Sequence, residues 1–407
     1  MIPTRREAFR FWLKLGFISF GGPAGQIAIL HREVVERRAW LDDRAFMHAL
    51  NFCMLLPGPE ALQLAIWIGW RLHGAIGGIV AGLCFIVPAM LLLLGLSFAY
   101  ALHGEVPAVA AALLGLQATV IALIAQALLR LARRALTHPL HWLLAGAAFV
   151  LMVTGIVPFP LILAGAALAG LFAYRGAAPS VPPAPARFPW RSLAAGAVLW
   201  SLPAIAIVAL AGQDSFFAKL YRFFTTAALV TFGGAYAVLA WVSQQVVEVQ
   251  GWLTQAETVA GLALAETTPG PLIIVLQFIG FMAGWHQAGA AGPAVTATTA
   301  ALLTSWATFL PSFIFILVGA PYVERLAANL RLAGALAGIT AAVVGVIGSL
   351  AVVFGRTVLF PSGLAAPDWG AVAIAVAALV LLERSGLDVL WVIAAGATAG
   401  LALGYVA

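Results

Sequence analysis

Long apolar runs alternate with short segments rich in glycine, proline or arginine along most of the chain. Ala75–Leu102, Val106–Leu129 and Leu332–Phe354 are the clearest runs, and each reaches the roughly 20 residues that a helix needs to cross a bilayer core. One such run would be an anchor; several predict a bundle. The expected fold is therefore an all-α polytopic membrane protein. Composition strengthens this expectation. Of 407 residues, 63% are hydrophobic and 9% charged, with a mean hydropathy of +1.04, whereas soluble domains carry about 25% charged residues.

The chain also repeats itself. An offset of 212 positions aligns Phe20-Gly21-Gly22 with Phe232-Gly233-Gly234, and Val34-Val35-Glu36 with Val246-Val247-Glu248. Without a gap it also aligns Trp40-Leu41 with Trp252-Leu253, and Pro57-Gly58-Pro59 with Pro269-Gly270-Pro271. Between the copies, Arg175–Arg191 carries Pro179, Pro182, Pro183, Pro185 and Pro189, a composition that reads as an extended linker outside the bilayer. The predicted organisation is an N-terminal repeat over 1–174, the linker over 175–191, a connecting transmembrane helix over 192–216 and a C-terminal repeat over 217–407.

Charge gives each copy an orientation. The excess of 21 Lys+Arg over 15 Asp+Glu falls in short loops, where it marks the cytoplasmic side rather than a nucleic-acid surface. Arg32, Arg37, Arg38 and Arg44 crowd one loop of the first copy, and the equivalent Ser243–Glu257 has no Arg or Lys. Conversely His103–Pro107 lacks both, whereas its counterpart Pro321–Arg331 has Arg325 and Arg331. The bias swaps between copies, as it does in inverted-topology repeats. Arg5, Arg6 and Arg10 precede the first Gly-Gly segment, so both of its ends look cytoplasmic. The Gly-Gly and Pro-Gly-Pro segments therefore read as re-entrant hairpins with arms of about 18 Å; the alternative is one kinked full-length helix for each. No cleavage site follows the basic start, so a cleaved signal peptide is not expected.

Irregular backbone at membrane depth is tolerated where it is buried in protein or lines a wet cavity. Each break ends one half-helix and starts another, and a fresh N-terminus exposes N–H groups and partial positive charge. Four such ends meeting at the midplane would bind an oxyanion without a buried arginine. The candidate anion contacts are Gly21, Gly22, Pro23, Gly58, Pro59, Gly233, Gly234 and Gly270, with Asn51, Gln63, Thr267 and Thr268 as neutral donors nearby. Glu60, Glu266 and Lys14 are ionisable residues inside apolar segments and so are candidates for ion coupling; capping a helix end or pairing with Lys14 or Arg71 is the plainer role for either carboxylate. Their repeat partners are Leu272, Met54 and Thr226, so the breaks are duplicated and the charges are not. Trp40, Trp252 and Trp369 sit beside loops, the usual place of interfacial anchors. Cys53 and Cys84 have no metal-ligand spacing. No cofactor, metal or enzymatic activity is expected, and the absence of a phosphate-binding loop argues against an ATP-driven pump.

At the two break motifs the sequence resembles the chromate ion transporters in their long, two-domain form. The matching stretches are Phe20-Gly-Gly-Pro-Ala-Gly-Gln-Ile-Ala through Glu33, Asn51 through Pro57-Gly-Pro-Glu60, Thr231 through Leu239, and Leu264 through Leu272. The resemblance implies export of chromate across the bacterial inner membrane, with sulfate as its structural analogue and coupling to protons. A homodimer is compatible with that architecture. A sulfate or other oxyanion carrier, or a membrane scaffold that transports nothing, are the other readings.

Overall fold

The computed structural model describes residues 3–173, 188–289, 291–323, 330–385 and 387–404, and every regular element among them is helical. The chain is an all-α, multi-pass membrane protein. Most of the proline-rich linker, and Arg325, lie outside the described residues.

The first repeat begins with α1 (Arg5–Ile18) and α2 (Gly22–His31), the latter running on into a π-helical turn over Arg32–Arg37. Next come α3 (Asp43–Met54), α4 (Glu60–His103), α5 (Pro107–Ala135), α6 (Pro139–Thr154) and α7 (Phe159–Ala173). After α8 (Trp190–Ala211) the order recurs as α9 (Phe216–Leu229), α10 (Ala235–Gln244) with a π-turn at Gln245–Val249, and α11 (Gln255–Glu266). A short 3₁₀ turn at Leu272–Ile274 leads into α12 (Val275–His286), then α13 (Pro293–Gly319), α14 (Leu330–Leu359), α15 (Trp369–Arg384) and α16 (Val389–Gly404). α1 and α9 are 14 residues each, α2 and α10 are 10, and α3 and α11 are 12. At about 1.5 Å per residue none of these alone crosses a core of about 30 Å.

Capping explains where the arms begin. Thr4 with Glu7 and Thr254 with Glu257 form capping boxes, and Asp42 and Ser215 accept from the third amide of their helices. α4 is two helices in one. His73 and Gly74 leave helical geometry, so the segment 60–72 is a short arm and 75–103 is a span. The long helices α5, α13 and α14 and the second part of α4 are apolar enough to cross a membrane, as is α8. Of α8 only Gly196 is buried, and one side packs on α13 and α9, as suits a helix at the lipid-facing edge of the bundle.

The repeats exchange their last helices. α14 packs on α6 and α7 of the first repeat, while α5 packs on α15 and α16 of the second. Glycine makes these crossings close: a Cβ on Gly345 would strike the Ala145 carbonyl, and one on Gly115 the Gly396 carbonyl. Small residues at such crossings let helices approach where lipid supplies no hydrophobic drive. Trp252 is buried against Phe216 and Phe223, so it packs the interior, whereas Trp369 is exposed.

One tie between the arms differs in charge between the copies. At the exposed end of α2, the His31 ring meets Asp43 at 2.7 Å and Glu36 at 3.2 Å. The equivalent pair in the second repeat is neutral, with Gln255 Nε2 donating to Ser243 Oγ at 2.9 Å. The hydrogen bond to Asp43, and then that to Glu36, raises the His31 pKa above its ordinary value. A raised pKa means that the tie stabilises the fold fully below about pH 6.5 and that this contribution is lost as pH rises through the folded value. A proton-detected titration of His31 should therefore show an elevated midpoint that falls back in Asp43→Asn; an unchanged midpoint would remove Asp43 as the cause.

Candidate functional site

All four breaks meet in one place. A narrow cleft there is lined by Pro23 and Gln26 of α2 and by Gly58, Pro59, Glu60 and Ala61 at the start of α4. Its other wall is Thr231, Gly234 and Ala235 at the start of α10, with Pro271, Leu272 and Ile273 leading into α12.

Two backbone hydrogen bonds stitch the copies together there. Gly58 N–H donates to the Thr231 carbonyl and Gly270 N–H to the Ser19 carbonyl, each at 2.8 Å. These bonds are related by the repeat: each Pro-Gly-Pro turn is held by the arm that leads into the other copy's Gly-Gly break. The acceptors are free because each arm has just ended. The Ser19 and Thr231 hydroxyls turn back onto Leu15 and Ala227, and the glycines that follow have φ of +86° at Gly21 and +73° at Gly233.

The helices that start at the cleft are left open. No side chain caps α2, α4, α10 or the turn before α12, in contrast to the capped arms α1, α3, α9 and α11. Their first-turn amides have no helical acceptor, and each helix contributes partial positive charge at this end. Donors converging from four directions suit a small oxyanion with oxygens on all sides.

Polar side chains make the two halves unequal. Gln26 Nε2 donates to the Gly270 carbonyl at 2.5 Å and to the Ser19 carbonyl at 3.2 Å; its repeat partner is Val238. Gln63 Nε2 donates to the Pro57 carbonyl at 2.7 Å, where the second copy has Val275. Each glutamine thus holds a loop carbonyl, whose negative end would oppose an anion. The Glu60 Oε2 atom is buried without a protein partner, at the edge of the cleft. Glu266 is half-buried, is not among the lining residues, and accepts from the Tyr236 hydroxyl at 2.5 Å. Neither carboxylate belongs to an ion pair among the described residues.

The other sequence candidates are placed as follows. Lys14 and Asn51 are exposed and do not line the cleft. Thr267 and Thr268 hydroxyls bond back to Leu264 and Ala265. Gly21, Gly22 and Gly233 shape the turns behind the lining, Gly233 backing onto Val343. Gly270 supplies the cross-repeat bond rather than the wall. Reading the sequence for glycines and charges missed Gln26, Thr231 and Tyr236. The available signal was that Gln26 and Tyr236 are polar residues within the first turns after each Gly-Gly, in otherwise apolar helices.

Gln26→Leu leaves the Gly270 carbonyl without its side-chain donor. An unsatisfied buried carbonyl costs about 1–3 kcal/mol, so the variant should raise the anion KM about tenfold at normal expression. A KM within twofold of wild type would deny Gln26 this role.

Comparison with known proteins identifies the family. The family model described as "Chromate transporter" matches residues 6–171 and 218–401. The "Chromate transport protein" of Pseudomonas aeruginosa is 35% identical over 84% of this chain and 79% of its own. The "Probable chromate transport protein" of Synechococcus elongatus is 31% identical over 86% and 84%, and the "Chromate transport protein" of Cupriavidus metallidurans 28% over 87% and 83%. No solved structure matches.

Proposed function

The chain belongs to the chromate transporter family, and from that premise we propose that it is a secondary carrier exporting chromate from the bacterial cytoplasm, coupled to the proton gradient. The observation that carries this reading is the convergence of four uncapped helix starts on one cleft. Chromate is a tetrahedral dianion, and backbone donors surround it without a dehydrated arginine or lysine.

Glu60 supplies the link to protons. An ionised carboxylate and a bound anion in one cleft repel by about 4 kcal/mol per pair of unit charges at 4 Å and an effective dielectric of 20. The ionised side chain is itself a tethered anion beside a helix N-terminus, so it and the free anion are alternatives for the same donors. Protonation of Glu60 and anion binding therefore favour each other, so a pH gradient moves the anion in the direction of the protons. The inside-negative membrane potential, acting on the net negative charge of one proton with a dianion, is the source of work for export. Glu266, held by Tyr236, is a second candidate site outside the lining.

The test is flux in proteoliposomes of the purified chain. Labelled chromate movement driven by an imposed pH gradient and competed by sulfate supports the reading. Sulfate movement with chromate excluded would make it a sulfate carrier, and no flux of any anion would leave the scaffold reading.

The repeats are proposed to be inverted, with re-entrant arms at each break. Cys53 and Cys84 are buried, so single cysteines placed at Arg38 and Gln250 report cleanly on sidedness. Labelling from outside at 250 and not at 38 is expected; the reverse pattern would overturn the inverted arrangement.

A further inference from the structure

Hydroxyls on apolar helices normally satisfy themselves by bonding back one turn. Ser97 does so onto Leu93, Thr119 onto Gly115 and Thr296 onto Gly292. Thr304 and Thr308 on α13 do not: both are buried, at 0% and 2% exposure, and neither hydroxyl has a protein partner. Among the described residues, seven buried side-chain polar atoms lack a protein partner, and five of them fall on α13 and the first segment of α4. The other three of these five are Glu60 Oε2, Gln63 Oε1 and Trp67 Nε1.

These residues form one row on each of two packed helices, with the Thr304 hydroxyl also lying against Gly280 of α12. Glu60, Gln63 and Trp67 are spaced three and four apart and share one face of α4. Thr304, Thr308 and Ser312 recur every fourth residue on α13, a row about 12 Å long at helical rise. The rows meet where Gln63 Nε2 lies 3.5 Å from Ser312 Oγ, beside Gly58, whose added Cβ would lie 2.7 Å from that same hydroxyl. At the other end Ser305 donates to Gln277 at 2.8 Å, and Gln277 to the Met90 carbonyl at 2.8 Å. A buried polar group with no partner costs about 1–3 kcal/mol. Concentrating five on these two packed segments is stable when water satisfies them, since a buried water makes about three hydrogen bonds.

We propose that the seam between the first segment of α4 and α13 holds a file of internal water that carries protons to and from Glu60. This rests on the reading of Glu60 as the proton-coupled group. A proton entering the file passes along water and the Thr308 and Ser312 hydroxyls and forms an O–H bond on the Glu60 carboxylate. The reverse transfer returns it to water when the anion has left. The hydroxyls both donate and accept, so they relay without changing charge, and none of the α13 residues touches the anion cleft.

Two measurements on the full-length protein test this. The first is hydroxyl-radical footprinting by water radiolysis, which oxidises side chains in contact with water. Trp67 is 5% exposed and should nonetheless be oxidised at least tenfold faster than Met152, buried in α6; Thr304→Val with Thr308→Val should suppress this. Protection of Trp67 in the wild type overturns the hydrated seam. The second is flux: the double valine variant should lose about tenfold in pH-driven chromate movement with chromate–chromate exchange unchanged, and Thr308→Ser should restore the single-site loss. Unchanged pH-driven flux in the double variant overturns the proton path, as does flux driven by a sodium gradient that Thr308→Val abolishes. Wild-type flux indifferent to pH, with Trp67 still oxidised, overturns the proton path by removing the coupling reading and leaves the hydration standing.

Discussion

Gly270→Ala is expected to abolish chromate flux while Gly363→Ala leaves it near wild type. Both glycines sit in the left-handed region, at φ of +97° and +101°, where a side chain costs about 1–2 kcal/mol. Only at Gly270 does the new Cβ also collide, lying 2.8 Å from the Ala89 Cβ, whereas nothing stands within 4 Å at Gly363. Overpacking adds about 1–3 kcal/mol. Relief of the clash has to move the turn that carries the Gly270 N–H bond to Ser19 and the carbonyl bond from Gln26. The loss therefore falls on the geometry of the cleft as well as on stability. Gly58, at φ +122° and with Gln63 and Ser312 both 2.7 Å from its added Cβ, should be as intolerant. Flux per folded protein, with thermal unfolding measured alongside, separates the two effects; a Gly270→Ala protein with normal flux would dissociate the Pro-Gly-Pro turn from transport.

Glu60→Gln should separate anion movement from the proton gradient. The amide is isosteric, keeps the start of α4 and cannot ionise. Chromate exchange between equal concentrations on both sides should persist, and acceleration by an imposed pH gradient should fall at least tenfold. Glu266→Gln should do less, because that carboxylate lies outside the cleft lining and already takes a hydrogen bond from Tyr236. Full pH-driven flux in Glu60→Gln would exclude this carboxylate from coupling.

Much of the architecture was legible in the sequence for a physical reason. Spans must be apolar over about 20 residues, and a backbone that breaks at membrane depth needs glycine or proline there. The 212-residue offset thus marked arms whose helices have equal lengths. The end of the first α4 arm was harder to see. His73-Gly74 is not a Pro-Gly motif, and its turn depends on a left-handed φ at Gly74 that many helical glycines never adopt. The exchange of α6 and α7 for α15 and α16 was invisible, since an apolar helix carries no label for which long helix it will pack on.

The cleft was legible in outline only. Break motifs pointed to Pro23, Gly58, Pro59, Glu60 and Gly234, all of which line the cleft. Lys14 stood out as a charge in an apolar arm, yet a long amphipathic side chain can reach an exposed face from such a position, and Lys14 does. Gln26 was overlooked because its value lies in a carbonyl 244 positions away along the chain. Such a pairing is a property of the folded turn and leaves no local signature.

The oxyanion site proposed at the four helix starts is tested most directly by locating the chromium itself. Anomalous diffraction from crystals of the purified protein soaked in chromate should place one chromium peak in the cleft between Pro23, Pro59, Gly234 and Pro271, within hydrogen-bond reach of the first-turn amides. A peak bound elsewhere in the transmembrane region, with the cleft empty at a chromate concentration that saturates flux, would contradict it.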